Sequence, residues 1–205
     1  AILTTPTVVP LDASPSEEEL TRRDKQFLEC EALKNKSQDN RMVKYMFKAM
    51  ERSGCKVDSQ EFVKCKHCPT NSAAGAMGVD EKRNMHVMMC QNYVKTQEHF
   101  DTVLVHEMIH SYDFCRNEVD WQNCKHHACT EVRAANLSGD CSFLNELKRG
   151  ILDFPGHQKV ECVRRRAILS LMSNPHCNEP LKAATAVNDV FDHCLKDHSP
   201  FGCVP

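Results

Sequence analysis

Thirteen cysteines in a chain of 205 residues restrict the possible folds more than any other feature. That density is several times what ordinary cytosolic domains carry, and no repeated spacing turns all of them into metal clusters. Most are therefore expected in disulfides formed in an oxidising compartment. The odd number leaves at least one thiol free or paired outside the chain. The competing expectation is a scatter of buried thiols in a reducing cytosol, because free cysteine also packs as a small apolar residue. Cys65-Lys66-His67-Cys68 is a C-x-x-C with no second copy, so a four-cysteine zinc ribbon is unsupported and each sulfur is expected in a structural disulfide.

Such cross-links suit one compact body, which is also what 205 residues imply. With 41% of residues hydrophobic and 26% charged, the composition supports one buried core. The formal charge of −2 gives no global field for gripping nucleic acid or anionic lipid, so no direct nucleic-acid binding is expected. Every apolar run is shorter than the roughly 18 residues a membrane-spanning helix needs. Residues 1–15 hold Pro6, Pro10 and Pro15 without helical periodicity, which predicts a flexible N-terminal tail; its Val8-Val9 pair lacks the basic flank of a signal peptide. Residues 16–205 are expected to form a single domain.

His106-Glu107-Met108-Ile109-His110 is an H-E-x-x-H sequence, for which random placement in this composition gives only about 0.04 matches. On a helix, residues four apart share a face, so His106 and His110 can bind one tetrahedral zinc ion. Glu107 is about 100° round the helix, beside the metal, where it can take a proton from the attacking water. A catalytic zinc needs a third protein ligand. Glu131, 21 residues past His110, is the first choice; His127, four residues before Glu131, and His126 are the alternatives. Asp113 or Asp140 is expected to fix the tautomer of a ligating histidine.

The surrounding pattern predicts where these residues sit. Ser16 followed by Glu17, Glu18 and Glu19 starts a first helix that runs to about Lys34, and Met42, Val43, Met46, Phe47 and Met50 mark the core face of a second. Short β-prone pieces from Glu61 to Val94 predict a small antiparallel sheet, with Met85 to Cys90 as its substrate-facing edge. Thr96 caps the helix that carries the motif, and a further helix starts near Lys125. Two amphipathic helices, through Val160–Met172 and Ala184–Leu195, close the chain. The run Arg164-Arg165-Arg166 reads first as a solvated helix face and second as a site for an acidic partner.

The stretch HEMIHSYDFCRNEVDWQNCKHHACTEVRAANLSGDC, with AGAMG and VMMCQN before it and CVRRRAILSL and DHSPFG after it, closely resembles the mitochondrial inner-membrane-associated metalloproteases that mature an ATP synthase subunit. The likeness runs from about Leu20 to Cys203. It implies a peripheral protease of the intermembrane space that enters by an oxidative disulfide relay. Its implied task is to remove the N-terminal leader of ATP synthase subunit a and to assist that subunit's assembly into the membrane sector. His106 and His110 carry over as ligands and Glu107 as catalytic base. His126 and Glu131 are family-matched positions, His126 as an alternative ligand or a transition-state donor, whereas the family commonly has a hydrophobe at position 127. This chain departs from the family at Gly75-Ala76-Met77, where Gly-Gly-Phe is usual, and in a longer turn from Asp80 to Asn84.

The combined expectation is an α+β fold on a small, gluzincin-like zincin scaffold, with helices around a small antiparallel sheet, many disulfides and one catalytic Zn²⁺. His126, Tyr112 and Arg133 are the candidates for an oxyanion donor. Two other readings stand beside the protease: an assembly chaperone in which hydrolysis is dispensable, and an accessory protein of DNA double-strand-break repair.

Overall fold

The computed structural model describes residues 16–70, 73–81, 84–151 and 158–205. The expected N-terminal tail and residues 82 and 83 of the long turn lie outside them. The described elements are α1 (Glu17–Ser37), α2 (Arg41–Arg52), β1 (Val63–Lys66), β2 (Gly75–Val79), β3 (Met85–Cys90), α3 (Gln97–Arg116), α4 (Cys124–Leu137), α5 (Phe143–Lys148), α6 (Gln158–Leu171) and α7 (Pro180–Lys196). The helix starts follow the sequence signals. Ser16 accepts from the Glu19 N–H and Thr96 from the His99 N–H, which satisfies donors that the first turn leaves unpaired. The short α5, capped by Ser142, has no periodic signature in the sequence and was not among the expected elements.

The sheet differs from the expectation in two ways. Its order is β1-β3-β2, with β1 parallel and β2 antiparallel to β3, so it is mixed rather than antiparallel. Consequently Met85–Cys90 is the central strand, paired on both sides, and β1 and β2 are the two edges. The reason lies in burial: Val87 and Met89 are fully buried, and an apolar strand of that kind satisfies its backbone best between two neighbours.

Two apolar clusters flank α4. One joins α1, α2, the sheet and α3, and includes the methionine stripe of α2, where Met46 and Met50 are fully buried as expected. The other joins α4, α6 and α7 around Ala128, Val132, Val163, Ala167, Val187 and Phe191. Helix α4 contributes to both, through Ala134 and Leu137 on one side and Ala128, Val132 and Ala135 on the other.

Twelve cysteines form six disulfides: Cys30–Cys65, Cys55–Cys115, Cys68–Cys90, Cys124–Cys177, Cys129–Cys194 and Cys141–Cys162. Cys203 is free and exposed. Both sulfurs of the C-x-x-C thus go to separate structural bridges. The arginine run stays partly solvated, as expected first, but its charges are engaged within the molecule: Arg165 pairs with Glu146, Arg166 with Asp140, and Arg164 bonds Asn188 and covers the Phe191 ring at 3.7 Å. Among the described residues no helix is long and apolar enough to cross a membrane.

Candidate active site

Between β2, α3 and α4 opens a cleft of about 1340 Å³, lined on one side by Ala74 to Val79 and on the other by Trp121, His127, Asn174 and Arg166, with His106, Glu107, His110 and Glu131 in its lining. The helical spacing of His106 and His110 places both rings on the α3 face turned toward α4, 4.9 Å apart between centroids. Glu131 reaches them from α4, where it is 4% exposed. His106 Nε2 lies 3.5 Å from Glu131 Oε2, and His110 Nε2 lies 3.7 Å from Glu131 Oε1. One donor atom from each of the three residues falls within 4.8 Å of the others. Tetrahedral zinc with bonds of about 2.0–2.1 Å separates its ligand atoms by roughly 3.3 Å.

Hydrogen bonding leaves the inward-facing atoms available. Thr130 Oγ1 is 2.8 Å from His110 Nδ1, which occupies the far side of that ring and leaves Nε2 for a ligand. Glu131 Oε1 is 3.1 Å from His127 Nε2. Glu131 Oε2 is buried without a hydrogen-bond partner, a costly arrangement for a carboxylate oxygen unless a cation completes it. Two imidazole nitrogens and a carboxylate form a donor set suited to zinc. The residues therefore fit a divalent metal.

Charge follows burial. Burial pushes the Glu107 carboxyl up to about 7, with the Glu131 charge adding to it against the opposing His106 charge and the Met77 N–H. Burial pushes His110 down to about 3, against the attraction of Glu131. Burial also opposes a charge on His106, but the adjoining Glu131 and the charges of Glu107 and Asp140 outweigh it and bring that ring up to about 9. Glu131 is held well below the usual carboxylate range in spite of its burial, because three histidines face it.

Glu107 is tied to the sheet edge. Its Oε2 accepts the Met77 N–H at 2.9 Å. The bonds Cys90 N–H to Ala74 O and Asp80 N–H to Asn84 O fix the phase of the β2 ladder, so Ala76 and Gly78 face β3 while Gly75, Met77 and Val79 turn their backbone groups to the open edge. Gly75 allows this close approach: a Cβ there would stand 2.7 Å from Val103 Cγ1 and 3.2 Å from Glu107 Cγ.

Several expected site residues are used elsewhere. His126 is exposed, and its Nδ1 accepts the Asp120 N–H at 3.3 Å, outside the three-residue cluster. Asp113 binds Arg133 and Arg116, and Asp140 binds Arg149 and Arg166, so neither carboxylate holds a ligating histidine; Thr130 does so for His110. Tyr112 and Arg133 do not line the cleft: Tyr112 packs in the first core under Arg116, and Arg133, 1% exposed, anchors the C-terminal segment. The residues that orient the cluster, Thr130, His127 and Asn174, were not read as such from the sequence. The spacing of His127 to Glu131, one helical turn, was the available signal; Asn174, 43 residues downstream of Glu131, carries none.

The Peptidase M76 family model matches residues 28–202. The chain is 42% identical over 164 residues to "Mitochondrial inner membrane protease ATP23" of Yarrowia lipolytica, covering 79% of this chain and 62% of that protein. It is 41% identical over 167 residues to "Mitochondrial inner membrane protease ATP23 homolog" of Homo sapiens, covering 81% and 65%. The match to "Mitochondrial inner membrane protease ATP23" of Saccharomyces cerevisiae strain S288c is 38% identical over 165 residues and covers 78% and 69%. The chain thus spans about two thirds or less of the lengths of the first two. No solved structure matches it. A family match from residue 28 to residue 202 takes in α3, α4 and every side chain of the His-His-Glu cluster, and on that ground the chain belongs to the Peptidase M76 family.

Proposed function

We propose that the chain is a zinc-dependent endopeptidase built on a zincin-type helix pair, in which His106, His110 and Glu131 hold the metal and Glu107 is the general base. The observation that carries this reading is the buried Glu131 carboxylate set against both histidines of an H-E-x-x-H helix, with Oε2 facing His106 and lacking a hydrogen-bond partner and Oε1 facing His110. A divalent cation bound there supplies Lewis-acid polarisation of the scissile carbonyl and acidifies the attacking water. The chain's own residues do the rest. Glu107, kept in place by the Met77 N–H beside the two histidines, accepts a proton and returns it to the leaving amine. The outward backbone groups of Gly75 and Val79, with the Met77 carbonyl between them, offer an edge on which an extended substrate pairs through its main chain, tolerating varied side chains. Because Gly75-Ala76-Met77 forms part of that edge, its departure from the Gly-Gly-Phe pattern bears on cleavage preference.

The relatives' names support a place at the mitochondrial inner membrane, and six disulfides support an oxidising compartment such as the intermembrane space rather than the nucleus. The proposed substrate is the precursor of ATP synthase subunit a, whose leader the enzyme removes and whose membrane-sector assembly it assists. Incubating zinc-loaded chain with that precursor should release the leader, read as a mass shift. Glu107→Gln should retain zinc and lose cleavage by about 10²-fold or more. Normal cleavage by that variant, or by chain exhaustively chelated, overturns the reading. Complementing a null strain with Glu107→Gln separates hydrolysis from assembly, since restored assembly without leader removal assigns the chaperone role its own surface.

A further inference from the structure

The geometry points to His127 as a positioning residue that, with Asn174 behind it, poses Glu131 for the metal; this rests on the metal reading above. The Asn174 amide is oriented from two sides. Its Nδ2 donates to Trp121 O at 2.7 Å, and its Oδ1 accepts the His176 N–H at 2.9 Å. The same Nδ2 stands 2.7 Å from His127 Nδ1, so that ring nitrogen must present its lone pair. The ring proton then sits on Nε2, directed at Glu131 Oε1 3.1 Å away. With Oε1 held, the carboxylate cannot rotate freely, and Oε2 stays turned toward His106.

Packing supports the same order. Trp121 meets His127 edge-on at 5.1 Å and His110 at 6.1 Å, so one indole braces both the relay and a ligand. The turn that carries Asn174 is bonded through its carbonyl to the Cys177 N–H, and Cys177 is cross-linked to Cys124, the first residue of α4. The α6–α7 turn is thereby fastened to the helix whose glutamate it helps orient.

The test measures Zn²⁺ affinity of the full, oxidised chain by competition with a chromophoric chelator, together with the visible spectrum of the Co²⁺-substituted protein. His127→Phe, which keeps a ring but no donor, should raise the Kd for Zn²⁺ by about 10- to 100-fold and change the cobalt spectrum. His127→Gln should recover most of the affinity, because its amide nitrogen is as many bonds from the backbone as the imidazole Nε2. Asn174→Leu, which touches no ligand, should weaken binding several-fold with the six disulfides intact. Kd values within twofold of the unaltered chain for His127→Phe and Asn174→Leu overturn the inference alone. Failure of the unaltered chain to bind Zn²⁺ overturns the metal reading and this inference with it.

Discussion

Gly75 controls how near the sheet edge can come to the proposed base. Adding a methyl group would push into Val103 and against the Glu107 side chain, yet the strand could shift slightly and survive. Gly75→Ala should therefore cost only about 1–3 kcal/mol in stability. Peptide cleavage, by contrast, should fall by about tenfold or more, since a small misplacement of a proton acceptor is expensive in rate. Comparing the melting curve with kcat/KM checks the split. At this scale the sequence was informative where one element supplies the geometry: His106, Glu107 and His110 declare themselves through helical spacing. It was silent where a contact joins distant segments, as between His127 and Asn174, or where a residue is consumed elsewhere, as Arg133 is.

Arg133 shows how α4 secures the C-terminal segment. It binds Asp113 on α3, the Asp197 side chain and carbonyl, and the Ser199 carbonyl. Tyr45 Oη continues the attachment by donating to Pro200 O at 2.6 Å, and its ring stacks on Phe201. Arg133→Leu would leave Asp113, 3% exposed, facing only Arg116, and should lower stability by about 3–5 kcal/mol, seen as a fall in the denaturant midpoint. Asp197 adds a pH dependence. Its burial is outweighed by Arg116 and Arg133, which bring its carboxyl down to about 2. A carboxyl depressed on folding contributes its stability above the unfolded value near pH 4 and loses it as pH falls toward 2. The melting temperature should accordingly drop more steeply between pH 5 and pH 2 in the unaltered chain than in Asp197→Asn. Element type and order were largely legible, since caps and apolar stripes are local. The strand order was not: alternation identifies a strand but does not say which strand lies in the middle, and β2, with two glycines in five residues, gave little sign of being the edge beside the base.

Across the molecule the cross-links fall into two groups. Three lie within residues 30–115 and three within residues 124–194, and none joins the groups. The proposed ligands straddle this divide, with His106 and His110 on one side and Glu131 on the other. One cut between Asn117 and Asn123 should therefore yield two pieces that separate on a denaturing gel without reductant, whereas a cut inside either group leaves the pieces attached. The cysteine count foretold extensive bridging, but pairing depends on which helices meet, and that is decided by packing rather than by spacing.

The same partition simplifies the route to the native state. Six thiols sorting among themselves face about 15 arrangements, and each group can search its own set. An oxidising catalyst that meets the chain from its N-terminus can complete the first set while the second is still being delivered. A mispaired bond in one group then need not trap the other.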